Sequence, residues 1–288
     1  MKKYLSVMAL SALVSMSCER MIPFDSSVNE PMLTVYSTVS EGDTIMAHVS
    51  RTISMIDEGT PPNDSLATVY VEGSDGTSDT LMHLMRGHYY SELFAQEGVT
   101  YDFTVTRENL PTVTGQVYTL MAMDSVKLVY VDTGRQMMPG GWGWPYTDVE
   151  LTIYDSDETV YYEVAGYSLY IDPSGATWSG GARIATDDVL LGGAPYGGNQ
   201  WGSGNIQFSN ESFRGQARVI PFRIYDQEYP NQRLGLKVTK MDESKYLYNF
   251  QIDQSRNVGP FSQPVTSYVN VVGGLGCLSS ESEVIELL

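Results

Sequence analysis

Cysteine is scarce in this chain, with Cys18 and Cys277 the only two among 288 residues. A framework of several disulfides is therefore excluded, although small exported domains often depend on one. Histidine is scarcer than its usual share. His48, His83 and His88 are the full set, and none stands in a His-x-x-x-His or Glu-flanked zinc spacing. A site shared by His83 and His88 across a hairpin is the one metal arrangement the spacing leaves open. No Gly-x-Ser-x-Gly elbow supports nucleophilic serine catalysis. Positive charge is also short, with 17 basic against 35 acidic side chains and a net charge of −18. Phosphate backbones and anionic headgroups repel such a chain, which excludes nucleic acid as a partner. Beyond the first twenty residues no apolar run approaches the roughly 20 residues a membrane-spanning helix needs.

Those first residues have their own pattern. Met1-Lys2-Lys3 is a positive start, Tyr4 to Val14 is an apolar core, and Ser15-Met16-Ser17 is a small-residue stretch that ends at Cys18. Residues 1–17 read as a signal peptide and Cys18 as the lipid-modified first residue of the mature protein. Leu is usual at the position of Ser15, with Leu13 and Val14 just upstream. Loss of Lys2 and Lys3 would take the net charge from −18 to −20. Acyl chains give stable anchoring, because each buried CH₂ contributes about 0.8 kcal/mol. With Cys18 acylated, Cys277 has no partner and is expected to pack as a small buried hydrophobe.

What is abundant is tyrosine (20) and glycine (27), the composition of β-strands joined by Gly-rich turns. Residues 18–30 lack periodicity and read as a tether. From Met32 to Met123 about seven period-two segments follow, with turn signals every 8–12 residues. These include Thr44–Arg51 and Ala67–Glu72, the latter ending in Gly73-Ser74-Asp75-Gly76. An immunoglobulin-like or transthyretin-like sandwich over 31–123 is expected. Residues 124–288 restart the pattern as a second β-sandwich-type domain with one short helix. Asp242 is its N-cap, and Tyr246, Leu247 and Phe250 make its apolar stripe. The predicted fold class is all-β. Gly273, Gly274 and Gly276 predict close backbone approach beside a final strand rather than a phosphate loop.

The closing segment also carries a resemblance. Tyr246-Leu247-Tyr248, then Gly259-Pro260-Phe261-Ser262-Gln263-Pro264-Val265, then Asn270-Val271-Val272-Gly273-Gly274-Leu275-Gly276 resemble the ending of a Bacteroidetes outer-membrane lipoprotein family, domain of unknown function 4249. The lipidation cysteine, Leu33-Thr34-Val35-Tyr36 and Gly87-His88-Tyr89-Tyr90 fit the same family. Cys277-Leu278 departs from it, since an aliphatic–aromatic pair is more usual there. The resemblance implies an accessory lipoprotein paired with a TonB-dependent transporter, and it carries over no catalytic residue.

Three groups of side chains are candidates for chemistry. Asp155-Ser156-Asp157-Glu158 looks like half of a calcium loop but lacks the twelve-residue pattern, so a hairpin turn is the expectation and a structural calcium ion is not supported. Asp187-Asp188 reads as turn or cap hydrogen bonding. The aromatic segments are the third group: Pro139 to Tyr146 with Trp142, Trp144 and Tyr146, then Trp178-Ser179-Gly180-Gly181, then Tyr196 to Gly202 with Trp201. All four Trp residues are expected in Gly-rich loops, where exposed rings anchor partners or stack on sugars. The expectation is a non-enzymatic protein without cofactor or metal, held at the outer membrane by lipid on Cys18 and facing the cell surface. It would act beside a TonB-dependent transporter or other barrel complex through Trp142, Trp144, Tyr146, Trp178 and Trp201. A carbohydrate-binding surface lipoprotein is the alternative.

Overall fold

The computed structural model describes residues 31–53, 59–123, 126–137, 141, 143–155, 157–188, 191, 204–225, 231–256 and 268–288. Cys18, Trp142, Trp201 and the Phe261–Val265 step lie outside them. The described residues form fifteen strands and one helix, so the chain is all-β as its periodicity predicts.

The first seven strands are β1 (Leu33–Val39), β2 (Thr44–Arg51), β3 (Thr68–Gly73), β4 (Ser78–Met85), β5 (His88–Phe94), β6 (Thr100–Thr106) and β7 (Val113–Tyr118). Their alternation buries one face. Leu33, Val35 and Val39 with Ile45, Ala47 and Val49 meet Val69, Val71, Tyr101, Phe103 and Val105 from the opposing layer. Burying each such aliphatic chain contributes about 1.5–3 kcal/mol. The two layers, β5-β2-β1 and β7-β6-β3, share β4. Val69↔Leu81 places the first half of β4 in one layer, and Met82↔Tyr90 places its second half in the other.

The second body repeats the device. It contains β8 (Val126–Met137), β9 (Gly143–Tyr154), β10 (Tyr161–Ile171), β11 (Thr177–Ala185), β12 (Asn205–Ser209), β13 (Ala217–Tyr225), β14 (Gln232–Met241) and β15 (Leu275–Leu287). Strand β11 pairs with β10 through Ala182 and with β13 from Arg183 onward, so it passes between layers as β4 does. Leu151, Ile153, Val164, Ile220, Phe222, Ile224, Leu236 and Val238 fill this core.

Strand β15 joins the bodies. Leu275–Ser280 run parallel to β1, and Glu281–Leu287 run antiparallel to β14. The first core accordingly takes Val271 and Leu278 from far down the chain, so residues 124–288 do not serve the second body alone. Gly276, at φ +135°, faces Val35 across the parallel pair, where a Cβ would collide with the Val35 carbonyl oxygen. This is the close approach that the Gly-rich ending predicts. The Asn270 side chain then acts as a short strand: its Nδ2 donates to Leu278 O (2.7 Å) and its Oδ1 accepts from Leu278 N (2.9 Å). The connection between the bodies is bonded to β15 too, through Leu120 N to Ser280 Oγ and Met123 N to Ser282 Oγ, both 2.9 Å.

Helix α1 (Glu243–Arg256) lies on β15. Asp242 caps it by accepting from Lys245 N (2.8 Å) and, through its other oxygen, from Ser280 N (3.1 Å). The helix places Tyr246, Leu247 and Phe250 within its 14 residues. Cys277 is buried beneath it, as expected.

Candidate functional site

Two surfaces concentrate unusual side chains. One is the end of the second body. Trp144 and Tyr146 lie on β9, and Trp178 lies on β11. The expected loops at these positions are therefore strands, because pairing with β8 and β10 overrides their glycine content. Pro145 lies beyond Tyr146↔Tyr225, the last described pair with β13, where β8 is the described strand beside β9. The turn before Trp178 is built by Asp172, whose Oδ1 accepts from Ser174 N (2.8 Å) and Ala176 N (2.9 Å).

These rings have different surroundings. Tyr146 is locked in place. The Arg223 guanidinium sits 3.6 Å from its ring centroid, and Arg223 is itself forked onto Asp148 by bonds of 2.7 and 2.8 Å. That carboxylate holds the guanidinium proton more firmly than usual. Gly134 leaves the room that the Tyr146 hydroxyl occupies, and Tyr225 OH donates to Gln136 Oε1 at 2.6 Å. Tyr146 is thus a packing residue of the ribbon. Trp144 is half-buried beside it on the same strand. Trp178 is 55 % exposed and stacks on Tyr170 at 5.6 Å and 23°. Nearby, β8 is the last strand of the sheet, and Tyr130, Val131 and Met137 are more than half exposed on it.

Register fixes where this end lies. Strand β15 runs from Leu275, beside the start of β1, to Leu287, beside Gly235 of β14. Its 13 residues span roughly 40 Å. Tyr170 pairs with Gln232, three residues beyond Gly235 in that same direction, and Trp178 pairs with Tyr170. Leu33 and Trp178 therefore lie at opposite ends of the run of pairing through β1, β15, β14, β10 and β11.

The second surface is a cleft of about 390 Å³ between α1 and the outer face of β1 and β2. Tyr36, Met46, His48, His88, Lys245 and Tyr248 line it, with Cys277 at its base. Tyr36 and Tyr248 lie 5.6 Å apart, and burial pushes the Tyr248 hydroxyl up to about 12. Burial likewise pushes the Cys277 thiol up to about 12, which keeps it protonated and unreactive. The histidines do not meet as His83 with His88. His83 lies against Tyr89, while His48 and His88 face each other with ring centroids 4.6 Å apart. A β-bulge between His83 and Met85 separates them, and sequence spacing cannot reveal that.

The carboxylate candidates act in the framework. Asp155 accepts from Tyr162 OH (2.7 Å), Asn210 Nδ2 (2.8 Å) and Gly215 N (3.1 Å). Asp188 pairs with Arg218 at 2.6 Å. Among the described residues no group of three or more His, Cys, Asp or Glu could hold a metal ion.

A two-body all-β chain with an aromatic end and a lined cleft is the class these features define. The chain belongs to the family described as domain of unknown function (DUF4249), whose model matches residues 19–284. No curated protein matches it. Among solved structures, the collagen adhesin of S. aureus is similar over 88 % of this chain and 93 % of that one, at 9 % identity and a TM-score of 0.18.

Proposed function

We propose that this chain is a non-enzymatic accessory lipoprotein. Cys18 anchors it to the outer membrane with its body at the cell surface, and the aromatic end of its second body binds a TonB-dependent transporter or other barrel complex. The observation that supports this reading is the separation of the two ends. The first described strand begins at Leu33, and Trp178 lies far from it, near the Met137 end of β8, whose outer edge no described strand pairs. A lipid ahead of Leu33 would hold that surface away from the bilayer, where it meets surface loops of a barrel rather than lipid. An exposed Trp on a Tyr platform is the kind of side chain that anchors interfaces.

Extraction in mild detergent followed by co-purification tests the reading. A barrel protein recovered with the wild-type chain, and lost on Trp178→Ala, is the expected result. Recovery of monomer alone, or mass spectrometry showing an unmodified thiol at Cys18, would overturn it.

The carbohydrate-binding alternative rests on the same stacked pair, since Tyr170 and Trp178 present an apolar platform suited to a sugar face. Calorimetric titration with glycans separates the two readings. Binding heat that Trp178→Ala abolishes favours the sugar, and heat indifferent to that change removes it.

A further inference from the structure

We propose that His48, His88 and Met85 form a binding site for a soft monovalent metal ion, copper(I) by chemical class. This site lies on the first body and is independent of the aromatic end. Strand pairing sets His48 directly opposite His88, and Met85 directly opposite His88 on its other side. The three side chains thus form one row across β2, β5 and β4. The two rings lie 4.6 Å apart at 44°. Two imidazoles on one ion, with metal–nitrogen bonds of about 2.0 Å, have ring centroids about 6 Å apart when linear and closer when bent, so this spacing fits a bent pair that leaves one side open for Met85.

The row is held rigidly. Arg86 and Gly87 both have positive φ (48° and 76°), the signature of a type I′ turn, so Met85 and His88 are the residues that flank it. Val49 N donates to Gly87 O at 2.8 Å, and a Cβ on Gly87 would collide with the Val49 carbonyl oxygen. The turn is therefore clamped onto β2 one residue from His48. The Nε2 of His48 lies 3.1 Å from Asn63 Oδ1. An amide oxygen only accepts, so Nε2 carries the proton and the Nδ1 lone pair is left for a ligand. Asn63 is in turn fixed by its bridge to Ser50.

The donor set selects the ion. No carboxylate lines the cleft, which disfavours calcium and magnesium. Two imidazoles and a thioether suit copper(I), whereas zinc seeks four ligands of imidazole, thiolate or carboxylate. Lys245, the cation in the cleft, is turned to Thr38 Oγ1 (3.1 Å) and Glu281 Oε2 (3.3 Å). The net charge of −18 draws cations and repels anions.

Silver(I) is the redox-inert probe. The full chain carrying Cys277→Ala, which removes the buried thiol, is titrated with silver nitrate by calorimetry. Imidazole resonances are followed by NMR in the same sample. The expected result is one equivalent bound, with His48 and His88 shifted and His83 unmoved as the internal control. Affinity should fall at least 100-fold on His48→Ala or His88→Ala and about tenfold on Met85→Leu. Both histidines lie on the outer face, and an unchanged far-UV spectrum verifies that the variants fold. Affinity indifferent to both histidine changes, equal binding of zinc, loss of all binding with Cys277→Ala, or a shift of His83 in place of His48 and His88 would overturn the assignment.

Discussion

The two ends of the continuous sheet are treated in opposite ways. At one end the terminal strand is β7, and it is covered. Thr114 N donates to Val272 O (3.0 Å) and Val272 N returns a bond to Thr114 O (2.8 Å), so the segment before β15 caps the edge. At the other end the terminal strand is β8, and no described strand pairs with its outer edge. Both bodies use one strand, β4 or β11, to pass between layers, so the difference does not come from architecture. Open strand edges invite pairing with other chains and are normally shielded. Among the described residues the outer edge of β8 has no strand beside it, and Tyr130 and Val131 are exposed on it, which is why the proposed partner surface is placed on the second body.

The largest effect should come from breaking the element that joins the halves. Gly276→Val sets a branched side chain against the Val35 carbonyl at positive φ. A loss above about 4 kcal/mol, or no soluble protein, is expected. Urea unfolding would show both bodies melting together, and a stable variant with an intact second body would deny that β15 couples them. Next comes Asp155→Ala in the second body alone. It strands the buried Tyr162 hydroxyl and one N–H of the buried Asn210 amide, whose Nδ2 keeps its bond to Glu158 O, at a cost of about 2–4 kcal/mol. Because β15 couples the bodies, the first body should unfold at the same lowered midpoint, and a first body that kept its midpoint would show the two to be separable.

Asp242 lies at the junction and gives a test in pH. Burial raises its carboxyl from 3.8 to about 6 in the fold, against the opposing pull of hydrogen bonds from Lys245 N and Ser280 N. A raised carboxyl pKa favours the protonated form when folded. Its stabilisation is full below about 4 and is lost as pH rises through 6. Asp242→Asn mimics the protonated carboxyl. Between pH 4 and pH 7 the wild type should lose on the order of 2–3 kcal/mol relative to that variant. Parallel stability curves for the two would refute the assignment.

Much of the first body was legible in the sequence. Alternation sets Leu33, Val35 and Ser37 on one face, which is the buried one, and Asp242 reads as a cap before its helix is seen. The second body was less so. Thr177–Ala182 contains two glycines and becomes a strand only because β10 supplies its partner, a long-range effect that propensity does not carry. The dual role of β15 was hidden for the same reason, since its registers with β1 and β14 span most of the chain. Among the candidate side chains, exposure of Trp178 follows from its position at a hairpin end. The stacking of Arg223 on the Tyr146 ring depends on a residue 77 positions away in the numbering. The His48–His88 pair rests on strand register, and histidine spacing cannot report that.

The smallest effect on stability should come from the bare edge itself, and it is the sharpest test of the opening contrast. Val131→Lys places a charge on β8 at a residue 52 % exposed, beside the register shift between Tyr130 and Asp132. Lysine on an edge strand is a common shield against pairing. If β8 is open to solvent, the urea midpoint should correspond to a change within about 0.5 kcal/mol, because the side chain leaves no core cavity. Recovery of a bound partner should nonetheless fall, since a charged edge resists a docking strand. The same substitution on the capped edge, Val113→Lys, buries a charge at a residue 1 % exposed and should prevent folding. Were Val131→Lys to destabilise the chain as severely as Val113→Lys, the two edges would be equally buried and the contrast between the halves would fail.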